Sequence, residues 1–158
     1  MDSDLSDWTI EKALTIGVTM EEGAIKLYTE SQAKVKSPGS KQLLKELAEE
    51  EKKHREFFMK ALQNPEIVVD AGGLQREIMD LKVTDRLVDT SLSPDADYQE
   101  ILIFAAKSEK TAHDFYMALA QRFKGHNIGE MWASFAKEEL KHKHRLEAEY
   151  DDVVLAQM

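Results

Sequence analysis

The chain has 158 residues, of which 42% are hydrophobic and 32% are charged, and its net charge at pH 7 is −9. This composition is typical of one globular domain, and the acidic balance argues against binding to nucleic acid or to anionic membranes. Because the chain has no cysteine, disulfides, thiolate zinc sites and iron–sulfur clusters are excluded. No apolar run approaches the roughly 18 residues of a membrane span, and the acidic first residues do not resemble a signal peptide, so we expect a cytoplasmic protein.

Four long stretches of the chain are predicted to form amphipathic helices. The first covers residues 8–35 and is followed by a break at residues 37–40, which include a proline and a glycine. The second covers about residues 41–63, the third about 96–124, and the fourth about 127–151. None of these stretches shows the alternation of apolar and polar residues that is typical of a strand.

A different segment, at about residues 64–96, separates the second and third helices. It contains a predicted short helix at residues 74–88. Such a length is unusual for a simple loop but is expected for a crossover that carries the chain along a bundle. We therefore predict an all-α protein, an antiparallel four-helix bundle, with one domain over residues 1–158.

Each predicted helix has an apolar stripe at steps of three and four residues, and polar residues occur within every stripe. These polar residues are Glu21 in the first helix, Glu51 and His54 in the second, Glu109 in the third, and Glu139 and His142 in the fourth. A carboxylate on a buried face is costly unless it is paired, so these residues need a specific role.

The two halves of the chain repeat the same pattern at an offset of 88 residues. This offset relates Glu21 to Glu109, Tyr28 to Tyr116, Glu51 to Glu139, and His54 to His142. A single Glu-x-x-His motif has little specificity, but two at one offset are hard to obtain by chance. Each half is a helical hairpin that cannot bury its own face, so two packed hairpins would bring all four stripes into one core.

Four glutamates in such a core would carry four negative charges, and no lysine or arginine lies in the stripes to compensate. Two divalent cations would neutralise them. Glutamate and histidine at positions i and i+3 point the same way, so each Glu-x-x-His motif can bind metal from one helix. Mixed carboxylate and imidazole ligation suits iron or manganese, with zinc as a competitor.

Four segments carry a resemblance to the ferritin-like, rubrerythrin-type superfamily: MEEGAIKLY at 20–28, LAEEEKKH at 47–54, SEKTAHDFY at 108–116 and FAKEELKH at 135–142. The resemblance covers nearly all of the chain except the crossover, and it implies a ferritin-like bundle with two iron ions. It implies single carboxylate ligands at Glu21 and Glu109, paired ligands at Glu51/His54 and Glu139/His142, and tyrosines Tyr28 and Tyr116 hydrogen-bonded to ligand carboxylates.

The sequence departs from the rubrerythrin pattern in two respects. Rubrerythrins usually carry a rubredoxin domain with a cysteine-bound iron, and this chain has no cysteine. They also tend to have a further glutamate on the third helix, where this chain has Ala112. His113 could approach the site or serve a structural role. The remaining acidic neighbours of the ligands, Glu22, Glu50 and Glu138, are expected on the polar flanks of the helices.

The resemblance implies a di-iron oxidoreductase that reduces hydrogen peroxide or dioxygen with electrons from an external donor protein. It also implies a homodimer. Three alternatives stay open at this point. One is an iron-binding, ferroxidase-type storage or detoxification protein, and another is a metal-stabilised helical scaffold for protein interactions. The third is a substrate hydroxylase on the same fold, although no residues mark a pocket for an organic substrate.

Overall fold

The computed structural model describes residues 10–68 and 92–157. They form four helices, α1 (Ile10–Ser31), α2 (Pro38–Gln63), α3 (Tyr98–Arg122) and α4 (Asn127–Ala156), and two 3₁₀ turns, Gln32–Lys34 and Pro65–Ile67. The part of the chain so described has no β-strand, and the predicted all-α bundle is confirmed. None of its helices is both long and apolar enough to cross a membrane. The predicted start of the first helix at residue 8 and the short helix at 74–88 lie outside the described residues.

The helix ends differ from the predicted ones where local capping decides them. The second helix begins at Pro38, inside the predicted break, because proline suits the first helical position and Ser37 caps the helix by accepting a hydrogen bond from the Ser40 amide. The third helix begins after Asp97, which forms a reciprocal capping box with Glu100. The fourth helix continues to Ala156, five residues beyond its predicted end.

Two apolar clusters fill the bundle, one on each side of its middle. The first, named here the Trp132 cluster, includes Ile10, Leu14, Phe58, Phe115, Leu119, Ile128 and Trp132. The second, the Leu44 cluster, includes Tyr28, Leu44, Leu47, Leu102, Ala105 and Leu146. Residues of both clusters occur on every helix, so the order of the clusters along each helix gives that helix its direction.

Helices α1 and α4 run from the Trp132 cluster to the Leu44 cluster, and α2 and α3 run the opposite way. The hairpins α1–α2 and α3–α4 are therefore antiparallel, and each has a short connection. Helix α2 ends and α3 begins at opposite ends of the bundle. This arrangement requires a long connection between α2 and α3, as the sequence predicted.

The turn between α3 and α4 depends on two glycines. Gly125 has a φ of 91°, which a residue with a side chain rarely adopts. A Cβ atom added to Gly129 would lie 2.2 Å from the Phe123 carbonyl oxygen. Helix α4 therefore starts in direct contact with the backbone at the end of α3.

We expect Gly129→Ala to lower the free energy of unfolding by about 1–3 kcal/mol, because the Phe123 backbone must move to admit the methyl group. The control is Gly23→Ala on the exposed surface of α1, where an added Cβ meets no described residue within 4 Å. That substitution should stabilise the protein by up to about 1 kcal/mol through helix propensity. Urea unfolding of both variants measures the difference, and equal effects would contradict the close approach.

Candidate metal centre

The six polar residues of the predicted stripes meet in the middle of the bundle, between the Trp132 and Leu44 clusters. They are Glu21 on α1, Glu51 and His54 on α2, Glu109 on α3, and Glu139 and His142 on α4. The exposed fraction is 7% for His54 and 2% or less for the other five. Because every helix contributes, the centre exists only in the assembled bundle.

The oxygen and nitrogen atoms of these side chains form two overlapping groups of four residues. One group is Glu21, Glu51, His54 and Glu139, and the other is Glu51, Glu109, Glu139 and His142. Within each group, one atom from each residue lies within 4.8 Å of the others. Glu51 and Glu139 belong to both groups, and a carboxylate with two oxygens can bind two cations at once. The arrangement fits two neighbouring metal ions that share these two carboxylates.

The inner atoms of the centre face one another without forming hydrogen bonds. The Nδ1 atom of His54 lies 3.1 Å from Glu51 Oε1 and 3.3 Å from Glu139 Oε1. The Nδ1 atom of His142 lies 3.5 Å from Glu51 Oε2 and 3.4 Å from Glu139 Oε1. Both Nδ1 atoms and both Glu51 oxygens are buried and have no hydrogen-bond partner among the residues that the structure describes. Such atoms are costly to bury, and bound metal ions would satisfy them.

Burial and repulsion between the carboxylates shift the pKa values of side chains in the centre. Burial, then the charge of Glu51, raises the pKa of Glu21 to about 8. Burial, then the charges of nearby carboxylates, raises the pKa of Glu51 to about 8 and that of Glu139 to about 7. Burial alone would lower the pKa of His54, but contacts with three carboxylates outweigh it and raise the pKa to about 12. Without metal the centre retains protons near neutral pH, and divalent cations would displace them.

Two buried tyrosines connect the hairpins through the carboxylates. Tyr28 on α1 donates a hydrogen bond to Glu109 Oε2 on α3, and Tyr116 on α3 donates one to Glu21 Oε2 on α1 at 2.7 Å. Burial and the neighbouring carboxylates raise the pKa of both hydroxyls well above 10. Both hydroxyls therefore remain protonated donors that orient the single glutamates.

Sequence reasoning assigned Glu50 to a polar flank and missed its contact with the centre. The Nε2 atom of His142 lies 3.1 Å from Glu50 Oε1, and Arg145 donates a hydrogen bond to Glu50 Oε2 at 3.1 Å. Burial alone would raise the pKa of Glu50, but these two partners outweigh it and lower the pKa. No sequence signal marks this contact, because Glu50 and His142 lie on different helices and Glu50 has acidic neighbours on both sides.

Four residues adjacent to these helix faces belong to neither group of potential ligand atoms. His113 is partly exposed, and its Nδ1 atom contacts Asp114 Oδ1 at 3.1 Å. Ala112 is buried and brings no ligand atom to α3. Glu22 is exposed, and Glu138 forms an ion pair with Lys141 at 3.3 Å. These two glutamates lie on the polar flanks, as predicted.

Comparison with known proteins gives one family and one similar structure. The family model described as Rubrerythrin matches residues 12–91 and 100–157. The solved structure of a hypothetical protein from Pyrococcus furiosus is 26% identical in sequence, covers 99% of this chain and 97% of its own, and has a TM-score of 0.70. No curated protein matches the chain significantly. The similar structure supports the fold, and its name assigns no activity.

Proposed function

Because the chain belongs to the rubrerythrin family, we propose that it is a di-iron oxidoreductase that reduces hydrogen peroxide or dioxygen with electrons from a separate donor protein. One observation carries the proposal. Two groups of three glutamates and one histidine, buried and poor in hydrogen bonds, share Glu51 and Glu139. Carboxylates and imidazoles in this ratio suit iron or manganese better than a closed zinc site.

Each ligand residue has a distinct part in this proposal. Glu51 and Glu139 would hold both ions, Glu21 and His54 would complete one position, and Glu109 and His142 would complete the other. When bound, two iron ions supply a change between ferrous and ferric states and polarise the oxygen–oxygen bond of the substrate. Tyr28 and Tyr116 hold the single glutamates in place through their hydrogen bonds.

The surrounding side chains control access to the centre. Phe58, Tyr116, Trp132 and Phe135 contact one another next to the ligands and exclude water from the Trp132 side. Among the six ligand residues, His54 has the largest exposed fraction. The small exposed fraction of all six residues favours a substrate as small as peroxide or dioxygen over a large organic molecule. These 158 residues contain no cysteine that could hold a thiolate-bound iron centre, which supports an electron donor outside them.

The proposal is tested by loading the protein anaerobically with ferrous iron and adding an artificial reductant together with hydrogen peroxide or, in a separate assay, dioxygen. We expect repeated consumption of peroxide coupled to oxidation of the reductant. The matched control, Glu51→Ala, should consume peroxide no faster than free iron. If the wild type binds two irons per chain but turns over no peroxide or dioxygen, the oxidoreductase proposal fails. Oxidation of many ferrous ions per chain without reductant would favour an iron-storage function instead.

A further inference from the structure

The two halves of the internal repeat differ in what surrounds the outer ring nitrogens, Nε2, of His54 and His142. The offset of 88 residues relates His54 to His142 and Glu138 to Glu50. If the two halves were equivalent in detail, Glu138 would contact the outer nitrogen of His54 as Glu50 contacts that of His142. Within the described part of the chain, the contact occurs in one half alone.

On the His142 side, a chain of charged groups extends from the centre to the surface. Glu50 Oε1 lies 3.1 Å from His142 Nε2, and Glu50 Oε2 accepts a hydrogen bond from Arg145 Nη1 at 3.1 Å. The other end of the guanidinium, Nη2, donates to Glu46 Oε1 at 2.6 Å. Arg145 thereby orients the Glu50 carboxylate toward His142.

On the His54 side, the repeat-related residues make different contacts. Glu138 pairs with Lys141 at 3.3 Å, and the repeat places Phe57 where the other half has Arg145. The rings of His54 and Phe135 pack in a T-shaped arrangement, with ring centroids 4.8 Å apart. Within residues 10–68 and 92–157, no hydrogen bond to His54 Nε2 is found. His54 is also 7% exposed, against 1% for His142.

The difference matters because both histidines present Nδ1 to the carboxylates. An imidazole that binds metal through Nδ1 keeps its proton on Nε2. A carboxylate that accepts a hydrogen bond from this N–H group fixes the tautomer and the ring orientation and makes the imidazole a stronger ligand. His142 has such a carboxylate in Glu50, whereas the described residues around His54 supply none.

We propose that Glu50 is a positioning residue for His142, and that it makes the metal position formed with Glu109 and His142 bind more tightly than the position formed with Glu21 and His54. This inference rests on the proposed two-metal function and adds to it an order of binding. The first ion would occupy the position with His142, and the second would occupy the position beside the more exposed His54.

The inference is tested by titrating the metal-free protein with Co²⁺ and monitoring binding by calorimetry and by visible absorption. The wild type should bind two ions with unequal affinities. Glu50→Ala should weaken the tighter one about 10- to 100-fold and leave the weaker one unchanged, because the loss of such an outer partner typically has that effect. Glu50→Gln retains a hydrogen-bond acceptor without the charge, so its effect should be intermediate.

The matched control is Glu138→Ala, which removes the repeat-related glutamate from the surface pair with Lys141. It should change neither affinity. A second readout is the proton NMR spectrum of the Co²⁺-loaded protein. One shifted imidazole N–H signal, that of His142, should exchange slowly with water in the wild type and in Glu138→Ala, and rapidly in Glu50→Ala.

The outcomes separate the inference from the proposed function. A wild type that binds fewer than two Co²⁺ ions overturns both. A wild type that binds two ions, with equal affinities or with affinities that Glu50→Ala leaves unchanged, overturns the inference and leaves the two-metal centre standing. Equal effects of Glu50→Ala and Glu138→Ala also overturn it, because a general loss of surface charge would then explain the change.

Discussion

Glu51→Ala is expected to abolish the binding of both metal ions, because Glu51 belongs to both groups of ligand atoms. Glu21 belongs to one group, so Glu21→Ala should leave one ion bound. Elemental analysis after anaerobic iron loading should give about two ions per chain for the wild type, about one for Glu21→Ala and nearly none for Glu51→Ala. The number of ions left in each variant distinguishes a carboxylate that belongs to both groups from one that belongs to a single group. A measurement that showed only loss of metal would not make this distinction.

Two further variants make this result interpretable. Glu49→Ala removes an exposed carboxylate two residues before Glu51 on the same helix and should retain both ions. Glu51→Gln retains the volume of the side chain and should lose the ions as Glu51→Ala does, so that a cavity does not explain the loss. Circular dichroism confirms that each variant is helical. A folded Glu51→Ala protein with two bound ions would contradict the assignment of Glu51 as a shared ligand.

The stability of the metal-free protein is expected to fall as pH rises from about 5 to about 8. The pKa of Glu21 and of Glu51 is raised from 4.5 to about 8, and that of Glu139 is raised to about 7. Below pH 4.5 these groups are protonated in the folded and unfolded states alike. Above it the unfolded chain releases protons that the folded chain retains, so unfolding becomes easier. His54, with a pKa raised to about 12, acts in the same direction above pH 6.5.

Metal binding should reverse this trend, because cations replace the retained protons and bind more tightly as pH rises. Thermal unfolding of metal-free and Co²⁺-loaded protein at both ends of this pH range measures the two effects. The melting temperature of the metal-free protein should fall by several degrees, where about 2–4 °C corresponds to 1 kcal/mol in a chain of this size. The increase caused by the metal should be larger at the higher pH.

The variant Glu51→Gln links the pH effect to the centre. It removes one of the raised carboxylates and lessens the repulsion on its neighbours, so its metal-free melting temperature should depend less on pH than that of the wild type. Ion pairs on the surface, such as Lys110 with Asp114, are the same in this variant and in the wild type. A difference between their pH profiles therefore comes from the centre. A wild-type profile that is flat or rises with pH would contradict the raised pKa values.

Much of the fold and of the candidate site was predictable from local spacing. Steps of three and four residues mark one face of a helix, and they correctly indicated that Glu21, Glu51, Glu109 and Glu139 point into the core. The offset of 88 residues is a property of the sequence by itself, and it relates the two hairpins to each other. That residues 1–158 form a single domain and that the protein is a homodimer stay predictions.

The helix ends were less predictable, because single caps and turns decide them. Residues 37–40 were predicted to be a break, but Ser37 and Pro38 together start a helix there. The first helix was predicted to continue to residue 35, but its last turn is a 3₁₀ turn, Gln32–Lys34. Such differences of a few residues move no ligand, since the polar members of each stripe lie near the middle of their helices.

Contacts between helices were decided by the tertiary structure alone. Sequence spacing relates residues on one helix face, but it does not specify which atoms of two faces meet after packing. That Glu51 and Glu139 are shared, that Tyr28 bonds Glu109, and that Glu50 holds His142 all depend on the separation and rotation of packed helices. The repeat even predicts equal surroundings for the two histidines, whereas packing makes them unequal. The side chains of the two groups were thus recognisable in the sequence, but the difference between the surroundings of the two histidines was not.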